Sequence, residues 1–350
     1  MRSDAGRRVW SATAPGTYGG AVLLADRFRP TPRQYLRITH LALAGLALII
    51  VTGASVRLTG SGLGCTDWPL CEEGKPIAPL EFHAMIEFIN RLITGLVSVA
   101  VGLAVLGSMR RLPRRRDLTL WSWFLVGGVV AQIIIGAFVT LSDLKYSVVA
   151  LHFLVSMVLV WAAVVLMNRA GDTAADTAVD GGREPAGSSL RSGRRWTTEA
   201  KVLVGLGTAV LVSGSVATSS SKHPGAVPDG NGVEHVVERL PLDLGSVVRA
   251  HSVLVWLLCL ATVVTAVRVR GRSGPASVAA TQLLAVIVAQ GALGYVQYFS
   301  GVPALMVGFH VAGSVLVWVL ALRFAFVSAV DPAGVPAPRP TAGVTTTPVP

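Results

Sequence analysis

Two stretches of this chain, 131-AQIIIGAFVT-140 and 289-AQGALGYVQY-298, begin the same pattern. In both copies the glutamine is followed by glycine at +4, histidine at +20 and serine at +24. The matching residues are Gln132, Gly136, His152 and Ser156 in the first copy, and Gln290, Gly294, His310 and Ser314 in the second. Each histidine opens an apolar run of helical length, so the repeat predicts a duplicated bundle with a buried histidine in each half. A histidine inside a membrane needs a partner, and the pattern favours a metal cofactor.

The composition is that of an integral membrane protein. Hydrophobic residues make up 52% of the 350 residues and charged residues 14%, whereas a soluble domain carries about 25% charged residues. Mean hydropathy is +0.61. The formal net charge of +11 does not indicate nucleic-acid binding, because the basic residues lie in short loops between apolar runs, where they set membrane orientation. We therefore expect a lipid bilayer and no nucleic acid as partner.

Eight apolar runs approach the roughly 20 residues that a membrane-spanning helix needs. The predicted spans are 37–56, 84–108, 119–141, 147–167, 200–218, 247–267, 277–299 and 304–328. The predicted fold class is an all-α integral membrane protein, with eight transmembrane helices arranged as two pseudo-symmetric four-helix bundles.

Arginines cluster before the first span and after the second, fourth and sixth spans, while the alternate loops hold few charges. The positive-inside rule then places both termini in the cytoplasm of a multi-pass protein of the cell membrane. The predicted domains are a cytoplasmic N-terminal segment (1–36), a first four-helix half (37–169), a cytoplasmic linker (170–199), a second four-helix half (200–328) and a disordered cytoplasmic tail (329–350).

In this topology four polar residues share one depth in the outer leaflet. Asn90, His152, His251 and His310 each lie about one to two turns into a span that starts at the outer face. Neutral imidazole is a common ligand of haem iron, and facing helices can supply both axial positions. Zinc is disfavoured, because it usually takes three or four ligands in a tight array. The sequence therefore predicts haem ligation, with His251 and His310 as ligands.

The first outer loop and the second span narrow the choice of family. The loop is 53-GASVRLTGSGLGCTDWPLC-71, and the second span contains 87-EFINR-91. Together with the three histidines, these motifs resemble the haem A synthase (CtaA/Cox15) family over roughly residues 37–328. The GCxDWPxC stretch is the most specific part of the resemblance.

The resemblance implies an eight-helix membrane oxidoreductase that oxidises a methyl group of haem O to a formyl group, giving haem A for terminal cytochrome oxidases. On the matching positions, His251 and His310 would bind a haem b cofactor. The first half, with His152, would bind the substrate haem. Contact with a haem O synthase and a quinone or other electron acceptor is also expected.

This chain departs from the family pattern at Asn90, where the usual motif is ExxHR. Asparagine is a poor ligand of haem iron, so the substrate iron would be held by His152 alone or with water opposite it. His83, about two turns before Asn90 on the same face, is an alternative ligand from a shifted position. Its ordinary alternative is an interfacial histidine at the mouth of the helix.

Glu87 is the predicted catalytic residue, since a carboxylate in a membrane span is costly unless it has a function or a partner. It would take protons and position water during two successive oxidations of the methyl group. Arg91 and Arg57 are candidates for binding the haem propionates, because a guanidinium fits a carboxylate bidentately. The alternatives are an ion pair for Glu87 and contact with lipid headgroups for the arginines.

Cys65 and Cys71 lie in a predicted extracytoplasmic loop, where disulfides persist. We expect them to form a disulfide, which would shape the loop or serve in redox chemistry. Two functions from other classes remain open at this point. A di-haem electron carrier would change neither haem, and a haem transporter or chaperone would only hold the porphyrin. A carrier needs no acid beside the haem, so Glu87 and the cysteine loop favour the enzyme.

Overall fold

A computed structural model describes residues 29–65, 68–71, 75, 77–172, 195–223, 225–226, 237–271 and 274–329. Over these residues the chain forms eight helices long and apolar enough to cross a membrane. They are α1 Pro32–Leu58, α2 Phe82–Arg110, α3 Arg116–Leu141, α4 Tyr146–Ala170, α5 Thr198–Ser219, α6 Leu244–Val269, α7 Pro275–Phe299 and α8 Ala304–Val327. The eight predicted spans and the all-α fold class are confirmed, with every helix end within five residues of its predicted position. The predicted features that fall on 1–28, 173–194 and 330–350 lie outside the described residues.

Local signals explain where several helices begin. Thr31 and Gln34 form a reciprocal capping box around Pro32, which is the first residue of α1, and proline is favoured at that position. Thr197 caps α5 by accepting a hydrogen bond from the Ala200 backbone. These caps start both helices before the apolar run itself begins, because they satisfy backbone N–H groups that the helix leaves without partners.

The eight helices pack as two rings of four. In the first half α1 packs on α2, α2 on α3, α3 on α4, and α4 returns to α1; in the second half α5, α6, α7 and α8 repeat the order. The halves meet where α1 and α4 pack against α8, and α4 against α5. Trp318 of α8 donates its indole N–H to the Met157 carbonyl of α4 across this interface, so the core is continuous between the halves.

The repeat extends to the backbone of the turns that precede the two histidine helices. Leu144 and Val302, which are 158 residues apart, both have left-handed backbone, with φ of 59° and 60°. Each donates its N–H to the carbonyl five residues earlier, on Val139 and Gln297. Non-glycine residues rarely adopt this conformation. The left-handed conformation occurs at equivalent positions, so the turns that precede α4 and α8 have the same backbone structure in both halves.

Candidate functional site

The repeated glutamine, glycine and histidine pack together in both halves. Gln132 of α3 donates to the His152 backbone carbonyl of α4, and Gln290 of α7 donates to that of His310 in α8. The repeated glycine faces the imidazole. A Cβ on Gly294 would lie 3.0 Å from His310 Cε1, and one on Gly136 would lie 3.6 Å from His152 Cε1.

The imidazole Nδ1 atoms of His152 and His310 are both buried, and neither has a hydrogen-bond partner among the described residues. A buried polar atom without a partner is costly. The two copies of the motif therefore pack each ring against a glycine while leaving its Nδ1 for another partner.

On the opposite side of the second bundle, His251 of α6 faces α5. Its Nδ1 lies 2.9 Å from Ser213 Oγ, within hydrogen-bonding distance. A Cβ on Gly214 would come 3.2 Å from its Cε1, so the glycine makes room for the ring. A hydrogen bond at one ring nitrogen orients the other toward a metal.

His251 and His310 are the two histidines in the membrane-spanning helices of the second half. They come from two different helices of the same ring, α6 and α8. Two imidazoles on facing helices, one with an orphaned buried nitrogen and the other oriented by a hydroxyl, fit the axial pair of a haem.

The first half carries the same arrangement with different side chains. Thr52 of α1 donates to Asn90 Oδ1 of α2 at 2.8 Å. Both residues precede Ser213 and His251 by 161 positions. The structure thus places Asn90 where the second half has a histidine, and its carboxamide oxygen is engaged by Thr52.

Glu87 lies one turn before Asn90 and is 6% exposed. One carboxylate oxygen accepts from Arg91 Nη2 at 2.6 Å, and the other accepts from the Cys65 backbone N–H at 2.8 Å. Arg91 also donates to the Leu70 carbonyl at 3.0 Å. The acid and the arginine therefore hold both ends of the loop between the two cysteines.

The predicted disulfide between Cys65 and Cys71 is confirmed. Both cysteines are buried in a small cluster with Ala84 at the start of α2. Gly64 is the point of closest approach, because a Cβ there would lie 2.4 Å from the His83 carbonyl oxygen. Only glycine lets the loop come this close to the helix.

Comparison with known proteins agrees with this geometry. A sequence model of the COX15-CtaA family, described as cytochrome oxidase assembly protein, matches residues 36–322. The chain belongs to the COX15-CtaA family. Its relatives include three proteins named Heme A synthase. That of Lysinibacillus sphaericus is 36% identical over 131 residues, that of Shouchella clausii 38% over 130, and that of Exiguobacterium sibiricum 30% over 132.

Each of these alignments covers 36% of this chain. They cover 41%, 42% and 44% of the respective relatives. The matched part thus spans about two fifths of the length of each relative, whereas the family model extends over both halves of the chain.

In this COX15-CtaA protein Arg57 joins the two halves. Its guanidinium is at the end of α1 and donates to the carbonyls of Thr218 at 2.8 Å and His223 at 3.1 Å. The loops that follow α1 and α5 also pair directly, because Gly62 donates its N–H to the Gly225 carbonyl at 2.8 Å. The binding of a propionate by Arg57 stays a prediction, and these contacts give the side chain a role in joining the halves.

His83, the alternative first-half ligand, lies near the start of α2. Its Nδ1 is 2.9 Å from Ser61 Oγ, within hydrogen-bonding distance, and Ser61 Oγ is in turn 2.8 Å from Thr59 Oγ1. Cys259 is a half-buried free thiol in α6.

Sequence reasoning missed the residues that hydrogen-bond to Asn90 and His251 from the neighbouring helix. Thr52 and Ser213 were not selected, although Thr52 precedes Asn90, and Ser213 precedes His251, by the same 38 positions. The glycines that follow them, Gly53 and Gly214, repeat at the same interval of 161. A search for a second repeat, in the first and second helices of each half, would have found them.

Proposed function

We propose that this COX15-CtaA protein is a haem A synthase, which oxidises a methyl group of haem O to a formyl group through an alcohol. The observation that carries the proposal is that, among the described residues, both halves have an imidazole site but only the first half has a buried carboxylate beside it. The position equivalent to Glu87 in the second half is Val248. The two halves therefore share a fold but differ in their site residues. This difference fits a protein in which one half binds the substrate, where an acid is needed for proton transfer, and the other half binds a cofactor.

The second half is the proposed haem b site, with His251 and His310 as the axial ligands. Haem b held by these two imidazoles would supply one-electron redox chemistry. Ser213 fixes the orientation of His251, and Gly294 leaves room for the His310 ring beside α7. The electrons taken from the substrate would pass to a quinone or another acceptor.

The first half is the proposed substrate site, with His152 as the ligand of the substrate iron. With water as the source of oxygen, oxidation of the methyl group to an alcohol, and of the alcohol to an aldehyde hydrate, takes up water and releases protons and electrons at each stage. The hydrate then loses water to give the formyl group. Glu87 is the one buried acid of this half among the described residues, and it is placed to accept the protons. Arg91 keeps the carboxylate oriented and attaches it to the disulfide loop.

The membrane placement follows from the charges. We propose that both termini face the cytoplasm of the cell membrane, so that the disulfide loop and all four site residues lie near the outer face. The chain then comprises an N-terminal segment (1–36), two four-helix halves (37–169 and 200–328), a cytoplasmic linker (170–199) and a tail (329–350). Because haem O is apolar, direct delivery from a haem O synthase fits a substrate site inside the bilayer.

Substitution of the acid tests this assignment. Glu87→Gln keeps the size of the side chain and an oxygen for the Cys65 N–H, but removes the charge and the proton acceptor. In cells that also express a haem O synthase, we expect membranes with this variant to accumulate haem O and to lose haem A. Glu81→Gln, an exposed glutamate at the start of the same helix, is the matched control and should convert haem O as the wild type does. Normal haem A output from Glu87→Gln would remove Glu87 from the reaction.

A further inference from the structure

A pocket lies next to Asn90 in the first half. It has a volume of about 150 Å³ and lies between α1 and α2. Ile86, Ile89 and Ile93 of α2 line it around Asn90, with Thr52 and Val56 of α1 opposite. A water molecule occupies about 30 Å³ in the liquid, so this volume is ample for a small molecule.

The second half has an imidazole at the equivalent place. A Cβ added to Gly214 would meet the His251 ring at 3.2 Å, whereas one added to Gly53, its equivalent, meets nothing within 4 Å. The hydroxyl partner is kept in both halves, as Thr52 for Asn90 and as Ser213 for His251. Replacement of histidine by the shorter asparagine has therefore left open space on the α2 side of the first bundle.

Asn90 is also turned away from the role of a ligand. Its carboxamide oxygen, the atom that would approach a metal, accepts the hydrogen bond from Thr52 at 2.8 Å. The other hydroxyl at the pocket, on Ser55, donates to the Val51 carbonyl of its own helix. The two hydroxyls and the Asn90 carboxamide oxygen are thus engaged within the protein. The isoleucines leave a mainly apolar surface that disfavours charged ligands.

From this asymmetry we propose that the first half binds its porphyrin through one protein ligand, His152, and keeps the opposite axial position open for a small neutral ligand in the Asn90 pocket. The second half, with His251 and His310, has no such position. The inference rests on the proposed function, because it takes the first half to be the porphyrin substrate site. Thr52 and Asn90 are positioning residues that shape the pocket.

Carbon monoxide is a suitable probe, since it is small and neutral and binds ferrous haem only where an axial position is open. The full chain is purified in detergent from cells that express a haem O synthase, and its haem content per chain is measured. We expect the reduced wild type to bind one carbon monoxide per chain, seen as a shifted Soret band, while the second haem keeps its low-spin spectrum.

Three variants make the test specific. Asn90→His restores the imidazole of the second half and should abolish carbon monoxide binding while haem is retained. Asn90→Leu, of similar size and with no metal-binding atom, should keep it. His251→Asn copies the first half into the second and should add a second binding site.

The outcomes separate this inference from the function on which it rests. Two haems in the wild type without carbon monoxide binding, or equal binding by wild type and Asn90→His, would overturn the open position and leave the haem A synthase proposal standing. A single haem per chain that His152→Ala does not remove would overturn both, because the first half would then hold no porphyrin.

Discussion

Replacement of Gly64 by alanine tests how the disulfide loop is attached to α2. The added Cβ would lie 2.4 Å from the His83 carbonyl oxygen and 2.8 Å from the Ala84 nitrogen, and both atoms belong to helix backbone that cannot turn aside. Since van der Waals contact between such atoms begins at about 3.5 Å, the loop must move away from α2 by about 1 Å. A shift of that size would stretch the 2.8 Å bond from the Cys65 N–H to Glu87 beyond hydrogen-bonding range.

The cost follows from these two effects. Forced overpacking costs about 1–3 kcal/mol, and a buried acceptor that loses its partner costs about 1–3 kcal/mol more. We expect Gly64→Ala to lower the thermal unfolding midpoint of the detergent-solubilised protein, followed by intrinsic tryptophan fluorescence. The matched control is Gly95→Ala in α2, where a Cβ meets nothing and a helical alanine gains up to about 1 kcal/mol. If the unfolding midpoint of Gly64→Ala equals or exceeds that of the control, the loop does not pack against α2, and the claim that Glu87 holds the loop through the Cys65 N–H is wrong.

Two further predictions concern single contacts. Gly294→Ala should weaken haem retention by the second half and shift the haem b spectrum, because its Cβ would crowd His310 at 3.0 Å; in Gly136→Ala, where the contact is an ordinary 3.6 Å, the haem b spectrum should not change. Asp243 caps α6 by accepting from the Ser246 N–H, and hydrogen bonds from the Ser246 hydroxyl and then from this N–H lower the pKa of the Asp243 carboxyl. The stabilisation is present above the ordinary aspartate pKa and is lost as the pH falls through the lowered value, so amide hydrogen exchange at the start of α6 should accelerate in acid, and Asp243→Asn should remove much of that pH dependence.

The helices could be predicted from the sequence because the bilayer fixes their length and polarity. The repeated turn residues and the histidine spacing within α3–α4 and α7–α8 are local, so one interval of 158 positions describes both copies. The first two helices of each half repeat at 161 positions instead. The difference of three arises because Asn90 is 20 positions from the end of α2 and His251 only 18 from the end of α6, while Gln132 is 16 positions into α3 and Gln290 is 15 into α7. Hydropathy alone does not reveal such a shift.

Contacts between distant segments were beyond the reach of sequence patterns. The disulfide was predicted, since both cysteines lie in one short loop that the charge pattern places outside the cytoplasm, where disulfides persist. The hydrogen bond between the Cys65 N–H and Glu87 was not predicted, because it depends on how the loop packs against α2 and joins residues 22 positions apart. Arg57 was selected for its charge, but its contacts with Thr218 and His223 arise only when the two halves are packed together.

The most direct test of the central claim is the identity of the haems that the protein itself carries. The full chain is purified after co-expression with a haem O synthase, and its non-covalent haems are extracted and identified by chromatography and mass spectrometry. The account predicts haem b together with haem A or its alcohol precursor, with the haem O derivatives absent from His152→Ala and haem b lost from His310→Ala. Haem b alone, with unconverted haem O left in the membrane, would contradict the proposed synthase.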